Sequence, residues 1–396
     1  MGTEGPLAGL RVLDLTNVLA GPYCCYHLGL MGAEVIKIER PDGGDLAREL
    51  GADPARNAAG EGLSFLAQNA GKASVTLDLK DSGARAAFLR LVASADVLVE
   101  NFRPGVMARL GLGHEALRAH HPQLIYAAIS GFGQEGPLSA TPAYDQIVQG
   151  MSGVMSITGD AQSAPLRVGY PLADTVGGLT AAFAISAALN ARPRGGFLDI
   201  SMTEAVLSTM GWVVSNHLMG GVAPQALGNE NMTSAPSGTF ATQDGAINIA
   251  ANRDVQWAAL LAVLGLEPLA QEARFASREA RKAHRAALKE ALEGVLRGRT
   301  TAHWVARLTA ANVPAGPVLS VPEALEHPQV AARGLVGSLA SDSGALSVMG
   351  APVMVDGSRA HPQSPPPKLG ADTDRVLKDL GLSEAMIMDM RARGAV

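Results

Sequence analysis

Apolar and polar positions follow two different rhythms along the first 130 residues. Short, nearly unbroken apolar runs rich in branched residues stand at Arg11–Leu15 (RVLDL), Glu34–Ile38 (EVIKI), Asp96–Glu100 (DVLVE) and Leu124–Ile129 (LIYAAI). Between the later runs, apolar positions recur three and four apart, as in Ala84–Val92. An unbroken run suits a strand covered on both faces, and the wider spacing suits a helix with one buried side. Strands alternating with helices predict a parallel sheet layered between helices, so the first half reads as a Rossmann-like α/β domain.

Beyond it, the segment RVGYPLADTVGGLTAAFAISAALNARPRGG (167–196) is a long run of small and apolar residues in which Asp174 is the only charged residue between Arg167 and Arg192. A further strand is predicted at Asp199–Ile200 and a helix at Thr203–Met210. Residues 219–245 are rich in Gly, Asn, Ser and Pro and read as a crossing linker, and 254–312 read as helical. Arg274, Arg278, Arg281, Lys282, Arg285 and Lys289 fall on one stretch expected to face solvent. Gly and Pro return at 313–330 and 361–370 before a last helix. The expected division is a large domain over 1–215, a linker with a smaller α/β domain over 216–325, and a C-terminal return to the large domain over 326–396.

Composition narrows the class. The chain has 396 residues, 47% hydrophobic and 17% charged, with a net charge of −5 and dispersed lysines and arginines. That describes a globular protein large enough for two cores and not built for nucleic acid. The opening MGTEGPLAGLRVLDL has no basic stretch ahead of an apolar one, which argues against a secretory signal, and the apolar stretch Leu179–Leu189 is too short to span a bilayer. The two cysteines, Cys24 and Cys25, are adjacent, a poor geometry for a mutual disulfide. Together these predict a soluble, reduced, cytoplasmic protein without a membrane partner.

Absent motifs exclude several chemistries. The first strand is followed by TNVLAGPYCCYHLG and not by the G-x-G-x-x-G that lets a backbone approach a dinucleotide pyrophosphate. The segment QNAGKAS (68–74) has Leu66 where a phosphate loop needs glycine. There is no G-x-S-x-G elbow, no H-E-x-x-H pair and no spaced Cys/His set, so no metal ligands are assigned. Carboxylate chemistry without metal or prosthetic group remains.

An ordered set of segments then carries a resemblance. L-x-G-x-R-V-L-D-L-T with A-G-P, G-A-E-V-I-K-I-E-R-P, SVTLDLK (74–80), DVLVENFRPG (96–105), GFGQEGP (131–137), AYD (143–145), VPAGPV (313–318) and LGADTDRVLKDLGL follow one another along essentially the whole chain. The set resembles the class III CoA-transferases, the CaiB/BaiF group that includes formyl-CoA transferase, carnitine CoA-transferases and the 2-methylacyl-CoA racemases. The resemblance implies an interlocked, ring-like homodimer, with coenzyme A as part of the substrate and not a resident cofactor.

It also implies that Asp174 is a nucleophile that attacks an acyl-CoA thioester, with Tyr144 and Asp145 positioning the reactants. Pro171 and the helix-forming run after Thr175 place Asp174 at a helix N-terminus, where free N–H groups and the helix dipole are expected to keep it ionised. A plain helix cap is the structural alternative. Gly177 and Gly178 are expected to clear room for a ligand. By the same resemblance CoA is held by Ala20, Arg40, Leu77, Asp78, Leu79, Lys80, Asn101, Phe102, Arg103 and Arg109.

Transfer is expected over racemisation. Racemases of the group place a histidine before the acid of the AYD segment, where this chain has Tyr144, and a phenol with an ordinary pKa near 10 is a poor base for an α-proton. Formyl-CoA transferases carry glutamine at the position of Leu19 and a glycine run where this chain reads NENMTSAPSGT (229–239), so oxalate with formyl-CoA is the alternative and not the first choice. Leu19, Asn229, Asn231, Ser237 and Arg253 are the candidate acceptor contacts, and Ser234 offers a further donor. The expected reaction moves CoA from a succinyl-CoA-like donor to a small dicarboxylate such as glutarate or citramalate. A catalytically silent CoA-binding protein of the same fold would have lost the acid that this chain keeps at 174.

Overall fold

Six parallel strands make the main sheet: β1 (Arg11–Leu15), β2 (Glu34–Glu39), β3 (Ala73–Thr76), β4 (Val97–Glu100), β5 (Ile125–Ser130) and β6 (Gly196–Ser201). Their order is β3-β2-β1-β4-β5-β6. β1 pairs with both β2 and β4, so the winding reverses at the seam between β1 and β4. Loops leaving the carboxyl ends of strands at such a reversal form the natural ligand crevice of an open α/β sheet. Every residue of β5 is buried, which is why its sequence reads as a continuous apolar run.

The computed structural model describes residues 5–341 and 344–396. The sheet belongs to a unit of residues 1–154, 167–222 and 328–396, and a second unit comprises 155–166 and 223–327. Residues 155–166, expected within the large domain, thus belong to the smaller one.

Alternate strand residues serve opposite faces of the sheet. Leu13, Leu98 and Tyr126 pack with Phe88 and Leu91 of α2 (Ser82–Ala93) and with Val376, Leu377, Ile387 and Met390 near the C-terminus. Val12, Val97 and Ile125 pack with Cys24 and Leu28 of α1 (Ala20–Leu30) and with Ala181 and Ile185 further along the chain. On this second face α3 (Asp145–Met151), α4 (Leu172–Leu189) and α5 (Met202–Thr209) lie together.

At 18 residues α4 is longer than the apolar run expected from sequence, and by length and composition alone it could cross a membrane. Its packing against α1, α5, β5 and β6 makes it a core helix here. Gly177 and Gly178 serve that packing and not a ligand. A Cβ at 177 would stand 2.7 Å from Met202 Cγ, and one at 178 would stand 2.5 Å from the Ala20 carbonyl oxygen.

The smaller unit has an antiparallel sheet of β7 (Ser237–Ala241), β8 (Ala246–Ala250) and β9 (Ala315–Pro317). The helices α6 (Asp254–Leu264), α7 (Arg285–Leu296) and α8 (Thr301–Ala310) share its core through Trp257, Leu288, Leu292 and Trp304 around Phe240. The stretch read as linker therefore ends in a strand. Arg281 corrects the reading of a solvated basic run: it is buried and donates to the Ala235 and Phe275 carbonyls at 3.0 and 3.2 Å and to Asp254 at 3.0 Å. Back in the larger unit, β10 (Val336–Ser341) and β11 (Gly344–Met349) form an antiparallel pair that the apolar pattern did not predict.

Beneath the seam sits a buried charge network. Asp14 of β1 meets Lys72 at 2.8 Å and Lys37 of β2 at 3.9 Å, and Lys37 meets Asp45 at 2.9 Å. Each ammonium also donates to a backbone carbonyl, Lys37 to Thr16 and Lys72 to Pro22. Burial pushes the Asp14 carboxyl up, but the two ammonium groups and the hydrogen bonds from Lys72 and Thr16 outweigh it and hold the pKa at about 2. A carboxyl held below its ordinary value stabilises the fold above that value, and the contribution is lost as pH falls through about 2. Lys72→Met leaves Asp14 with one cation fewer in a dry site, a loss of about 3–5 kcal/mol at pH 7. Urea unfolding from pH 7 down to pH 2 should give that deficit at neutral pH and a shrinking one below pH 4.

Candidate active site

The loop after β1 is set by side chains from two other places, Asp45 and Asn101. Val18 has φ +67°, a left-handed conformation that costs a β-branched residue about 1–3 kcal/mol unless its surroundings impose it. Asp45 imposes it by accepting from the Val18 N–H at 2.9 Å while its other oxygen meets Lys37. Asn101, just past β4, makes a two-way link: its Oδ1 accepts from the Asn17 N–H and its Nδ2 donates to the Asn17 carbonyl, both at 2.8 Å. Asn17 in turn accepts from the Leu46 N–H at 2.8 Å. The loops leaving the two seam strands are thereby locked to each other.

They wall a cavity of about 260 Å³ that also receives the end of β5 and the start of α4. Asp174 faces it. So do Leu19, Ala20, Asn101, Phe102, Arg103 and Tyr144 among the residues expected from sequence, and Asn17, Val18, Ser130 and Thr141 among those that were not. Tyr144 is exposed.

Asp174 sits in the first turn of α4, but it is neither a cap nor stabilised by the helix end as expected. Pro171 occupies the cap position and offers no side-chain hydrogen bond. The carboxylate of Asp145, the first residue of α3, takes that role from another helix: Oδ1 accepts from the Ala173 N–H at 2.8 Å and from the Asp174 N–H at 3.4 Å. Oδ2 accepts from Gln149 at 2.8 Å and from Arg167 at 3.4 Å. The free N–H groups that would have favoured a charged Asp174 are thus directed at its neighbour. Burial, and then the charge of Asp145, push the Asp174 carboxyl up to about 7.

The remaining candidates divide. Leu77 is buried in the apolar core, so its side chain is closed to a ligand. Asp78 accepts from the Lys80 N–H, and Leu79 packs on the same core. Arg40, Lys80 and Arg109 are exposed and do not line the Asp174 cavity. Glu39, next to Arg40, is held by Arg48 through two 2.8 Å bonds and by Ser74 at 2.6 Å. Asn229, Asn231, Ser237 and Arg253 belong to the smaller unit. There Asn231 closes its own turn by accepting from the Thr233 N–H and hydroxyl, and Ser237 is buried at the start of β7. Asn229 and Arg253 are exposed.

Family comparison decides the class. A model of CoA-transferase family III matches residues 7–373. The chain belongs to that family. It is 42% identical to the acetyl-CoA:oxalate CoA-transferase of Acetobacter aceti over 387 residues, covering 96% of this chain and 97% of the relative. It is 38% identical to the succinate–glutarate CoA-transferase of Agrobacterium fabrum, covering 95% and 96%. A CaiB/BaiF family protein from Brucella suis superposes with a TM-score of 0.84 at 35% identity, covering 96% of this chain and all of that one. As a class III CoA-transferase, the protein handles acyl-CoA as substrate, and its six-stranded sheet with flanking helices is the fold of its CaiB/BaiF neighbours.

The elevated Asp174 carboxyl has a thermodynamic signature. The folded state keeps a proton that the unfolded state releases near pH 4, so stability falls as pH rises from about 4 to about 7 and then levels. Asp174→Asn should therefore be more stable than wild type by about 1–2 kcal/mol at pH 8, a figure discounted for solvent reaching a half-buried group, with little difference at pH 4. Thermal unfolding across that range checks it.

Proposed function

We propose that the protein moves CoA from a short acyl-CoA, such as succinyl-CoA, to a small dicarboxylate through covalent intermediates on Asp174. The observation that carries this reading is a half-buried carboxylate facing a cavity of about 260 Å³ at the seam of the sheet, in a chain matched to CoA-transferase family III from residue 7 to 373. Ionised Asp174 attacks the thioester carbonyl carbon, the C–S bond breaks, and CoA leaves as thiolate, giving a mixed anhydride. The thiolate attacks the aspartyl carbonyl and frees the donor acid, leaving an aspartyl-CoA thioester. The acceptor carboxylate then displaces the thiolate to form a second anhydride. Thiolate attack on the acceptor side of that anhydride gives the new acyl-CoA and restores Asp174.

Each intermediate hydrolyses in water, and the small cavity limits its access. Tyr144 and Arg103 both line the cavity, which supports a phenol that donates to an acyl oxygen and a cation that meets a carboxylate or phosphate. Arg40 and Arg109, exposed on the larger unit, are proposed to meet the outer part of CoA. The relatives at 42% and 38% identity carry names with oxalate and glutarate, both dicarboxylates, which supports the acceptor class. Oxalate is a second reading, favoured by the identity of the Acetobacter aceti enzyme. Exposed Phe183, Trp212, Leu218 and Met219 support a homodimer, which would elute at twice the 40.8 kDa chain mass.

Asp174→Ala should lower acyl exchange by at least a thousandfold while CoA binding stays within a few-fold, and hydroxylamine with acyl-CoA should mark Asp174 in the wild type. Labelling elsewhere, or normal turnover in the variant, overturns the mechanism. In a mass-spectrometric screen of carboxylates against acetyl-, succinyl- and formyl-CoA, the proposal expects a dicarboxylate with succinyl-CoA to lead. Preference for formyl-CoA with oxalate, or α-proton exchange without acyl exchange, reverses the assignment.

A further inference from the structure

Gln149 is wholly buried, yet it touches neither the cavity nor the acid the mechanism uses. It lies one turn after Asp145 on α3, and its amide makes three hydrogen bonds. Nε2 donates to Asp145 Oδ2 at 2.8 Å and to the Tyr170 carbonyl at 3.2 Å, while Oε1 accepts from the Val168 N–H at 2.9 Å. Tyr170 and Val168 belong to the segment that leads directly into α4, the helix carrying Asp174.

We infer that Gln149 is the positioning residue that sets the geometry and proton affinity of Asp174 by orienting Asp145, an inference that rests on Asp174 being the nucleophile. The amide cannot turn over: with its oxygen facing the Val168 N–H and its nitrogen facing the Tyr170 carbonyl, a flip would oppose like with like at both ends. The nitrogen is thereby fixed toward Asp145, and only an acceptor is tolerated there. One carboxylate oxygen of Asp145 is held by Gln149 and Arg167, which turns the other onto the Ala173 and Asp174 N–H groups. The start of α4 and the negative charge beside Asp174 are both consequences of that orientation. The charged or titratable groups around the pair are Arg167 at 3.4 Å from Asp145, Tyr170 on the segment before α4, and Tyr144 and Arg103 at the cavity.

Glutamate is the discriminating substitution, because protonated it copies the amide's shape and can donate to Asp145, and ionised it repels it. Gln149→Glu should match wild-type turnover at pH 5.5–6. At pH 8, where Asp174 is mostly ionised, it should fall ten- to a hundredfold below wild type, with the KM for acyl-CoA unchanged within twofold at both pH values. Gln149→Met, which keeps the volume without the donors, should lose tenfold or more at every pH and keep the same KM. Thermal unfolding of each variant confirms folding, and if Gln149→Met fails to fold, the Gln149→Glu profile alone decides. Asp174→Asn runs alongside. If it is inactive and Gln149→Glu still follows the wild-type pH profile, or loses activity through KM, the positioning role is wrong while the nucleophile stands. If Asp174→Asn keeps turnover, the nucleophile reading fails and this inference fails with it.

Discussion

The Lys37 ammonium, dry and surrounded by Asp14, Asp45 and the Thr16 carbonyl, is the constraint from which the site is built. A buried cation of this kind is tolerated only with its partners in place, so the positions of β1, β2 and the Asp45 turn are not independent. Asp45, once fixed, holds Val18 in its left-handed conformation, and Asn101 ties the same loop to the end of β4. Burial works against the charge of Lys37, and Asp14, Asp45 and Glu39 raise its proton affinity above the ordinary value in spite of it. Asp14 and Lys37 therefore stay charged through the whole physiological range.

Two carboxylates 29 residues apart in sequence, Asp145 and Asp174, are given opposite environments at one helix end. Asp145 receives the two N–H groups, an amide and a guanidinium. Asp174 receives the cavity and its neighbour's charge. Pushing the environments of paired acids apart is how one site obtains a fixed structural anion and a reactive one. The helix dipole at the start of α4 favours anions in general, but it acts through the first-turn N–H groups, and these are directed at Asp145.

Much of the large domain was legible because both faces of its sheet are covered. Such strands advertise themselves as apolar runs, and β1, β2, β4 and β5 lie within a residue or so of their predicted positions. β3 is missing from the sequence reading, since ASVT carries too few large apolar residues to stand out. Asp174 was legible as an isolated charge, but its environment was not, because Asp145 approaches from 29 residues away. The pair Asp145 and Gln149 did have a local signal, polar residues four apart and so on one face of a short helix. Arg281 and Gly178 were misread for one reason: a basic residue in a charged run and a glycine near a candidate acid look alike whether they serve a surface, a ligand or a packing contact, and only the contacts from α6 and α1 distinguish them.

The raised proton affinity of Asp174 bears on the chemistry proposed for it. A carboxylate with a pKa of about 7 is half protonated at neutral pH, which costs about a factor of two in the reactive form. The ionised fraction is a stronger base than an ordinary carboxylate, and nucleophilicity toward a thioester rises with basicity along a given series. A gain of about three pKa units therefore outweighs the twofold loss for any appreciable dependence of rate on basicity. The same desolvation that raises the pKa strips the nucleophile of water that would otherwise have to be displaced before attack, and it shelters the anhydride that follows. In the proposed reaction a carboxylate acceptor beside Asp174 would bring a second negative charge to the cavity, and Arg103 is the cation among its lining residues able to offset it. An acceptor with a second carboxylate reaching that guanidinium enters on better terms than a monocarboxylic acid of the same size, because one of its charges is paired at the moment the other must approach the acid pair.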